Sequence, residues 1–330
     1  MAGLRAILAC MDLLLASIQP VLRGSQLVAI NHQALQAFAD KVQAGDLEGS
    51  EFAGDTFLPK LTEEESIAFA LVYDSINFSY WGDPKWAVTV DGQMYDGSAA
   101  MVRALERGIT RGIPLLSAAY LATLSEKTFA EILHGNTEIP LFTERQNMLN
   151  TLGRAITEKY GGSWTAFVDA AQWDAEKIVL KLVAEMPTVF DDVADYHGHT
   201  VRFYKRAQLL PAHLHDLYRL RIIPRDASNI GKLTAFADYK VPQLLRRLGI
   251  LVYDQELSDA VDRGVELPAQ SEAEIAIRAN TIQAIELATQ EVKKRLPTAT
   301  AMQVDGVLWL MSQEKSGQDR PYHRTRTIWY

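Results

Sequence analysis

The longest periodic stretch in this chain runs from about Glu272 to Leu296, with Ile275, Ile282, Ile285 and Val292 in helical phase, and Pro297 stops it. Most of the remaining sequence also reads as helix. Asn31 caps a helix carrying Leu35, Phe38 and Val42 on one face. Thr62 and Glu65 form a capping box before Ile67, Phe69 and Ala70, and Thr123 with Glu126 repeats that signature before Phe129, Ile132 and Leu133. Pro140 precedes a helical stretch from Leu141 to Leu152, where Gly153 either ends the helix or marks a close contact inside a longer one. Ser163 caps Trp164 to Ala171, and Asp174 caps a helix bearing Ile178, Val179, Leu182, Val183 and Met186 until Pro187 blocks it.

At the N-terminus Leu4, Ile7, Leu8, Met11, Leu14, Leu15 and Ile18 recur at the spacing of a helix with one buried face. Asp12 interrupts that apolar run, which argues against a secretory leader. Strand signals are few. Trp86 to Val90 alternates and meets Asp91-Gly92 before Gln93 to Tyr95, a small β-hairpin near residues 86–95. The tail from His323 to Tyr330 alternates polar and bulky residues and predicts a terminal strand. With no repeat and no long flexible linker, the expectation is a mainly α fold. Residues 1–330 are expected to form one helical domain of two lobes packed around one pocket.

Composition narrows the partners. The 330 residues carry 33 basic and 41 acidic side chains, a net charge of −8, which disfavours a protein built to grip duplex phosphates. No window approaches the roughly 18 apolar residues of a membrane span, so no membrane partner is expected. A single cysteine, Cys10, excludes an internal disulfide and suits a reducing, cytoplasmic setting. A small molecule or another protein is the expected partner.

The common nucleotide-loop, dinucleotide, zinc-protease and nucleophile-elbow motifs are absent from the sequence. Four histidines fall as His197-Gly-His199 and His213-Leu-His215, but the second pair lies in a helical segment where positions two apart diverge; no metal is expected. Three segments hold more promise. Tyr73 to Gly82 interleaves four aromatics with Asp74, Asn77 and Ser79, which suits either a flat heterocycle or a buried helix end capped by Asn77. In Leu233 to Gly249, Pro242 fits the first turn of a helix with Leu244, Leu245 and Leu248 on its apolar face. With Pro242 at the first helical position, Asp238 stands too early to cap, leaving it as a pocket carboxylate or as an ion-pair partner of Lys240. In Val201 to Leu210 a strand turns into a helix, and Lys205, Arg206 and Gln208 can meet a phosphate or a base edge. Arg324 and Arg326 in the tail form a second basic cluster.

Together these segments resemble the queuosine salvage proteins. The matching stretches are INFSYWG (76–82), IPLFTERQNMLNTLG (139–153), YKRAQLL (204–210), LTAFADYKVPQLLRRLG (233–249), EAEIAIRANTIQAIE (272–286) and PYHRTRTIWY (321–330). FADYKVPQ and YKRAQ are the most specific. Three departures stand out. PAHLHD offers His213 and a later Asp216 where the family has an Asp shortly before an aromatic, Ala276 replaces an expected second Glu while leaving Glu274 and Arg278, and the first 65 residues match loosely.

The resemblance implies a helical, two-lobed fold related to helix–hairpin–helix DNA glycosylases, acting on a free modified nucleotide without a cofactor. The implied reaction hydrolyses the N-glycosidic bond of queuosine 5′-phosphate, with the nucleoside queuosine as a second candidate substrate, and releases queuine for salvage into tRNA modification. It carries Asp238 over as the catalytic carboxylate, and Asn77, Phe78, Trp81, Lys205, Gln208, Phe236, Tyr239 and His323 as substrate-binding residues, with His323 near the phosphate. The residue chemistry agrees: N-ribosidic cleavage develops positive charge on the sugar, which a fixed carboxylate stabilises. Two other readings compete with it. A base-excision glycosylase would need a basic face and a base-flipping cleft; a non-catalytic helical scaffold would use the aromatics as core.

Overall fold

A computed structural model describes residues 10–49, 61–314 and 316–330, so Leu4, Ile7 and Leu8 of the expected N-terminal helix lie outside the described residues. The fold is mainly α with three small antiparallel two-stranded sheets among the described residues. In chain order it begins with α1 (Cys10–Ser17), α2 (Gln19–Gly24), β1 (Val28–Ile30), α3 (His32–Ala39), α4 (Ala44–Glu48) and α5 (Glu63–Ile76). The hairpin β2 (Ala87–Val90) and β3 (Gln93–Asp96) is followed by α6 (Gly97–Thr110), α7 (Ala118–Leu121), α8 (Glu126–Ile132), α9 (Phe142–Tyr160), α10 (Trp164–Ala170), α11 (Ala175–Glu185) and α12 (Pro187–Phe190). Then come β4 (Val193–Tyr196), β5 (His199–Arg202), α13 (Lys205–Arg219), α14 (Lys240–Arg247), β6 (Leu251–Tyr253), α15 (Gln255–Asp262), α16 (Glu272–Lys293) and α17 (Ala301–Gln313).

Local chemistry accounts for most of these boundaries. Asn31 accepts the N–H groups of Gln33 and Ala34, Ser163 that of Ala166, and Asp174 that of Lys177. At α5 the Thr62 hydroxyl accepts the Glu65 N–H at 3.3 Å while Glu65 accepts the Thr62 N–H at 2.9 Å, a complete capping box. The β2–β3 turn places Asp91 and Gly92 at φ 51° and 80°, the left-handed pair that matches the twist of a two-residue hairpin.

Three expectations change, and the alternative left open at Gly153 resolves to a close contact inside a longer helix. Helix α8 is capped by Ser125, which accepts the Thr128 N–H, and not by Thr123, because the helix begins at Glu126 itself. Helix α3 stops at Ala39, so Val42 is buried beyond its end. Gly153 lies inside α9: a Cβ there would sit 2.3 Å from the Ala122 N and 2.5 Å from the Ala118 carbonyl oxygen, so its hydrogen lets α7 approach. The tail is irregular apart from one bridge residue at Arg324. Its alternation survives as burial of His323, Thr325 and Thr327, without the ladder that defines a strand.

The chain divides into two compact units. The first takes the described residues of Met1–Glu48 with Asp192–Tyr204 and Gly231–His323. In it β1 pairs with β6 in the register Val28 to Tyr253, and α16 packs against α2, α3, α14 and α17. The second takes the described residues of Gly49–Asp191 with Lys205–Ile230 and Arg324–Tyr330, and is built around α5. Residues Ser66 to Ile76 of α5 are all buried, which marks a central helix surrounded by α9, α10 and α13. Burying it on every side also buries Asp74 and Ser75, so that helix end needs polar partners.

Candidate active site

The second unit holds Asn77, Phe78, Trp81, Lys205 and Gln208. Asn77 ends α5 at φ −87° and ψ 75°, the capping position expected of it, and it is half-buried. The carbonyls released at this helix end are held by two buried arginines. Arg145 of α9 donates Nη1 to the Ile76 carbonyl, Nη2 to those of Phe78 and Ser79, and Nε to that of Pro140 at 3.0 Å. Arg206 of α13 donates Nη1 to the carbonyls of Asp74 and Ser75 and Nη2 to that of Val189. Both guanidiniums also lie against the Phe78 ring, at 4.1 and 4.9 Å from its centroid. Arg206 therefore braces backbone, where the sequence suggested a phosphate contact.

Trp81 is buried, with the Arg326 guanidinium 3.7 Å above its ring and donating to its carbonyl at 3.3 Å. Lys205 and Gln208 lie three residues apart on α13, hence on one face, and both are buried. His213, further along the same helix, pairs with Asp74 at 3.0 Å, whereas His215 pairs with Asp226 at 2.9 Å. The two histidines diverge as the helical spacing predicts.

The first unit holds Phe236, Asp238, Tyr239 and His323. Asp238 is half-buried, and its Oδ1 accepts the N–H of Lys240 at 2.8 Å and of Val241 at 3.0 Å. This corrects the expectation that Asp238 stands too early to cap. Helix α14 starts at Lys240, two residues before Pro242, so Asp238 lies next to its first turn and satisfies two of its free amides. Among the described residues its Oδ2 makes no hydrogen bond. The segment is fixed from both sides: Asp305 of α17 accepts the Phe236 N–H at 3.1 Å, and Arg278 of α16 donates Nε to the Ala237 carbonyl at 3.2 Å.

Tyr239 packs against Tyr322 with ring centroids 4.9 Å apart. His323 is buried, and burial together with the nearby Arg278 charge pushes its imidazole down to about 3, so it stays neutral near pH 7. Sequence reasoning did not single out Arg145, Asp305 or Asp192, and it named Arg278 only as a position retained from the resemblance. Arg278 had one signal: a cation inside the apolar run Ile275 to Ala279 must find buried partners.

Among the described residues no group of three metal-binding side chains is assembled and no helix is long and apolar enough to cross a membrane. A family model described as queuosine salvage protein matches residues 57–330. The queuosine 5′-phosphate N-glycosylase/hydrolase of Sphaerobacter thermophilus is 37% identical over 323 residues, covering 96% of this chain and 97% of that protein. Proteins of the same description from Mus musculus and Bos taurus are 33% and 31% identical, each covering 82% of this chain and 84% of the relative.

Proposed function

Because this chain belongs to the queuosine salvage protein family, we propose that it is an N-glycosyl hydrolase that cleaves queuosine 5′-phosphate to queuine and ribose 5-phosphate. The observation that carries the mechanism is the half-engaged carboxylate of Asp238, whose Oδ1 is tied to two amides. As the C1′–N bond lengthens, positive charge grows on the ribose, and the other carboxylate oxygen stabilises it at short range. Water adds its oxygen to C1′, and its proton leaves with the base. Queuine is a 7-deazaguanine without the N7 that purine cleavage protonates, so the reaction leans on this carboxylate and on contacts to the departing ring.

Substrate contacts fall to Asn77, Phe78, Trp81, Lys205, Gln208, Phe236, Tyr239 and His323. Lys205 supplies positive charge for the 5′-phosphate, and His323, being neutral, supplies a hydrogen bond rather than charge. The net charge of −8 fits a single nucleotide in the cytoplasm better than a nucleic-acid duplex. Neither metal nor cofactor enters this scheme.

Purified protein incubated with queuosine 5′-phosphate is expected to release queuine, detected by liquid chromatography and mass spectrometry. Queuosine run in parallel measures what the phosphate contributes. A folded protein that releases no queuine from either compound overturns the reading.

A further inference from the structure

The first unit contains a buried ion pair that touches the Asp238 segment through its backbone. Arg278 donates Nη1 and Nη2 to the two carboxylate oxygens of Asp192 at 2.9 and 2.6 Å, a bidentate fork. Its third donor direction, Nε, is left for the Ala237 carbonyl at 3.2 Å. The guanidinium also lies 3.9 Å from the centroid of the Phe203 ring, and Phe203 in turn donates its N–H to the Asp192 carbonyl at 3.0 Å. Arg278 and Asp192 are both almost wholly buried, so the fork cannot swing without breaking contacts around it.

The Ala237 carbonyl belongs to the same rigid peptide plane as the Asp238 N–H. Holding that carbonyl fixes the plane, and the plane sets the direction in which the Asp238 side chain leaves the backbone. One residue earlier, Asp305 holds the Phe236 N–H; beyond Asp238, the amides of Lys240 and Val241 hold Oδ1. These anchors leave the carboxylate little rotational freedom.

We propose that Arg278, locked by Asp192, is a positioning residue that aims the Asp238 carboxylate through the Ala237 carbonyl. This rests on the reading of Asp238 as the catalytic carboxylate. Positional errors of about an ångström in such a group can lower turnover about 100-fold without touching substrate affinity.

The test compares Arg278→Lys, Asp192→Asn and Asp238→Asn on queuosine 5′-phosphate, with thermal unfolding of each. Lysine keeps a positive charge opposite Asp192 but cannot donate to both carboxylate oxygens and the Ala237 carbonyl in one plane. Arg278→Lys is expected to lower kcat about 10- to 100-fold with KM within about threefold of the parent. Asp192→Asn, which leaves Arg278 in place with a weaker partner, shifts kcat in the same direction by a smaller factor and serves if the lysine variant does not fold. In single turnover, Asp238→Asn/Arg278→Lys is expected to be no slower than Asp238→Asn alone, since positioning acts only through the carboxylate. A folded Arg278→Lys or Asp192→Asn protein with parental kcat, a loss confined to KM, or multiplicative losses in the double variant overturns the inference. Parental turnover in Asp238→Asn instead overturns the underlying reading of Asp238.

Discussion

His213 Nδ1 lies 3.0 Å from the Asp74 carboxylate, and both side chains are buried in the second unit, joining α13 to α5. Burial alone would push the imidazole down, but the Asp74 charge and hydrogen bond outweigh it and raise His213 above 6.5. Burial raises Asp74 above 3.8 despite the opposing pull of His213. A raised histidine contributes stability that is complete below pH 6.5 and lost as pH rises through its raised value. Denaturant titrations at pH 6 and pH 9 should therefore show the parent weakening toward alkali, with a flatter response for His213→Gln. At pH 6 that variant should be less stable by about 3–5 kcal/mol, because Asp74 loses its buried partner. Equal pH dependence in the two proteins would sink this account.

Asp238→Asn separates the structural duty of that side chain from its chemistry. The amide oxygen can still accept the N–H groups of Lys240 and Val241, so thermal unfolding should change little. Without the negative charge, turnover should fall by at least about 100-fold. Asp238→Ala should lose both, with about 1 kcal/mol of stability gone as well.

Arg145 binds the carbonyls of Ile76, Phe78 and Ser79, so it controls where Asn77 and Trp81 lie. Arg145→Lys keeps the charge but presents one nitrogen to a set of carbonyls that a fork now serves. Queuine affinity by calorimetry should drop about tenfold in a protein that still folds, and unchanged affinity would separate Arg145 from binding.

Gly153→Ala tests the close approach of α7 and α9. The added methyl would meet backbone atoms of Ala118 and Ala122, which cannot rotate away, and the strain should cost about 1–3 kcal/mol or more. A thermal midpoint equal to that of the parent would show that the two helices can separate freely.

Glu286 on α16 is mostly buried, and that burial raises its carboxyl to about 7 against the opposing charge of Lys293. A raised carboxyl favours the folded state fully below pH 4.5, and that contribution disappears as pH rises through about 7. Glu286→Gln should therefore melt higher than the parent at pH 8 and lose the difference near pH 4.5. Parallel melting curves across that range would refute the shift.

Helix starts were readable because a cap is a contact between residues two or three apart. Asn31, Thr62, Ser163 and Asp174 each accept an amide that close, and Asp91-Gly92 carries its own turn. Where two local signals competed, the sequence could be misread. Pro242 suggested the helix start, yet the structure begins α14 at Lys240 and gives Asp238 the free amides. The β1–β6 pair, which joins Val28 to Tyr253, left no local trace because neither strand alone carries a hairpin signal. The mainly α class and the helix starts at Asn31, Thr62, Ser163 and Asp174 were thus determined by the sequence itself. Only the tertiary structure decided what Arg145, Arg206 and Arg278 do. A buried guanidinium is satisfied by whichever carbonyls and carboxylates folding brings to it, and those of Ile76, Ser75 and Asp192 lie far from their arginines along the chain.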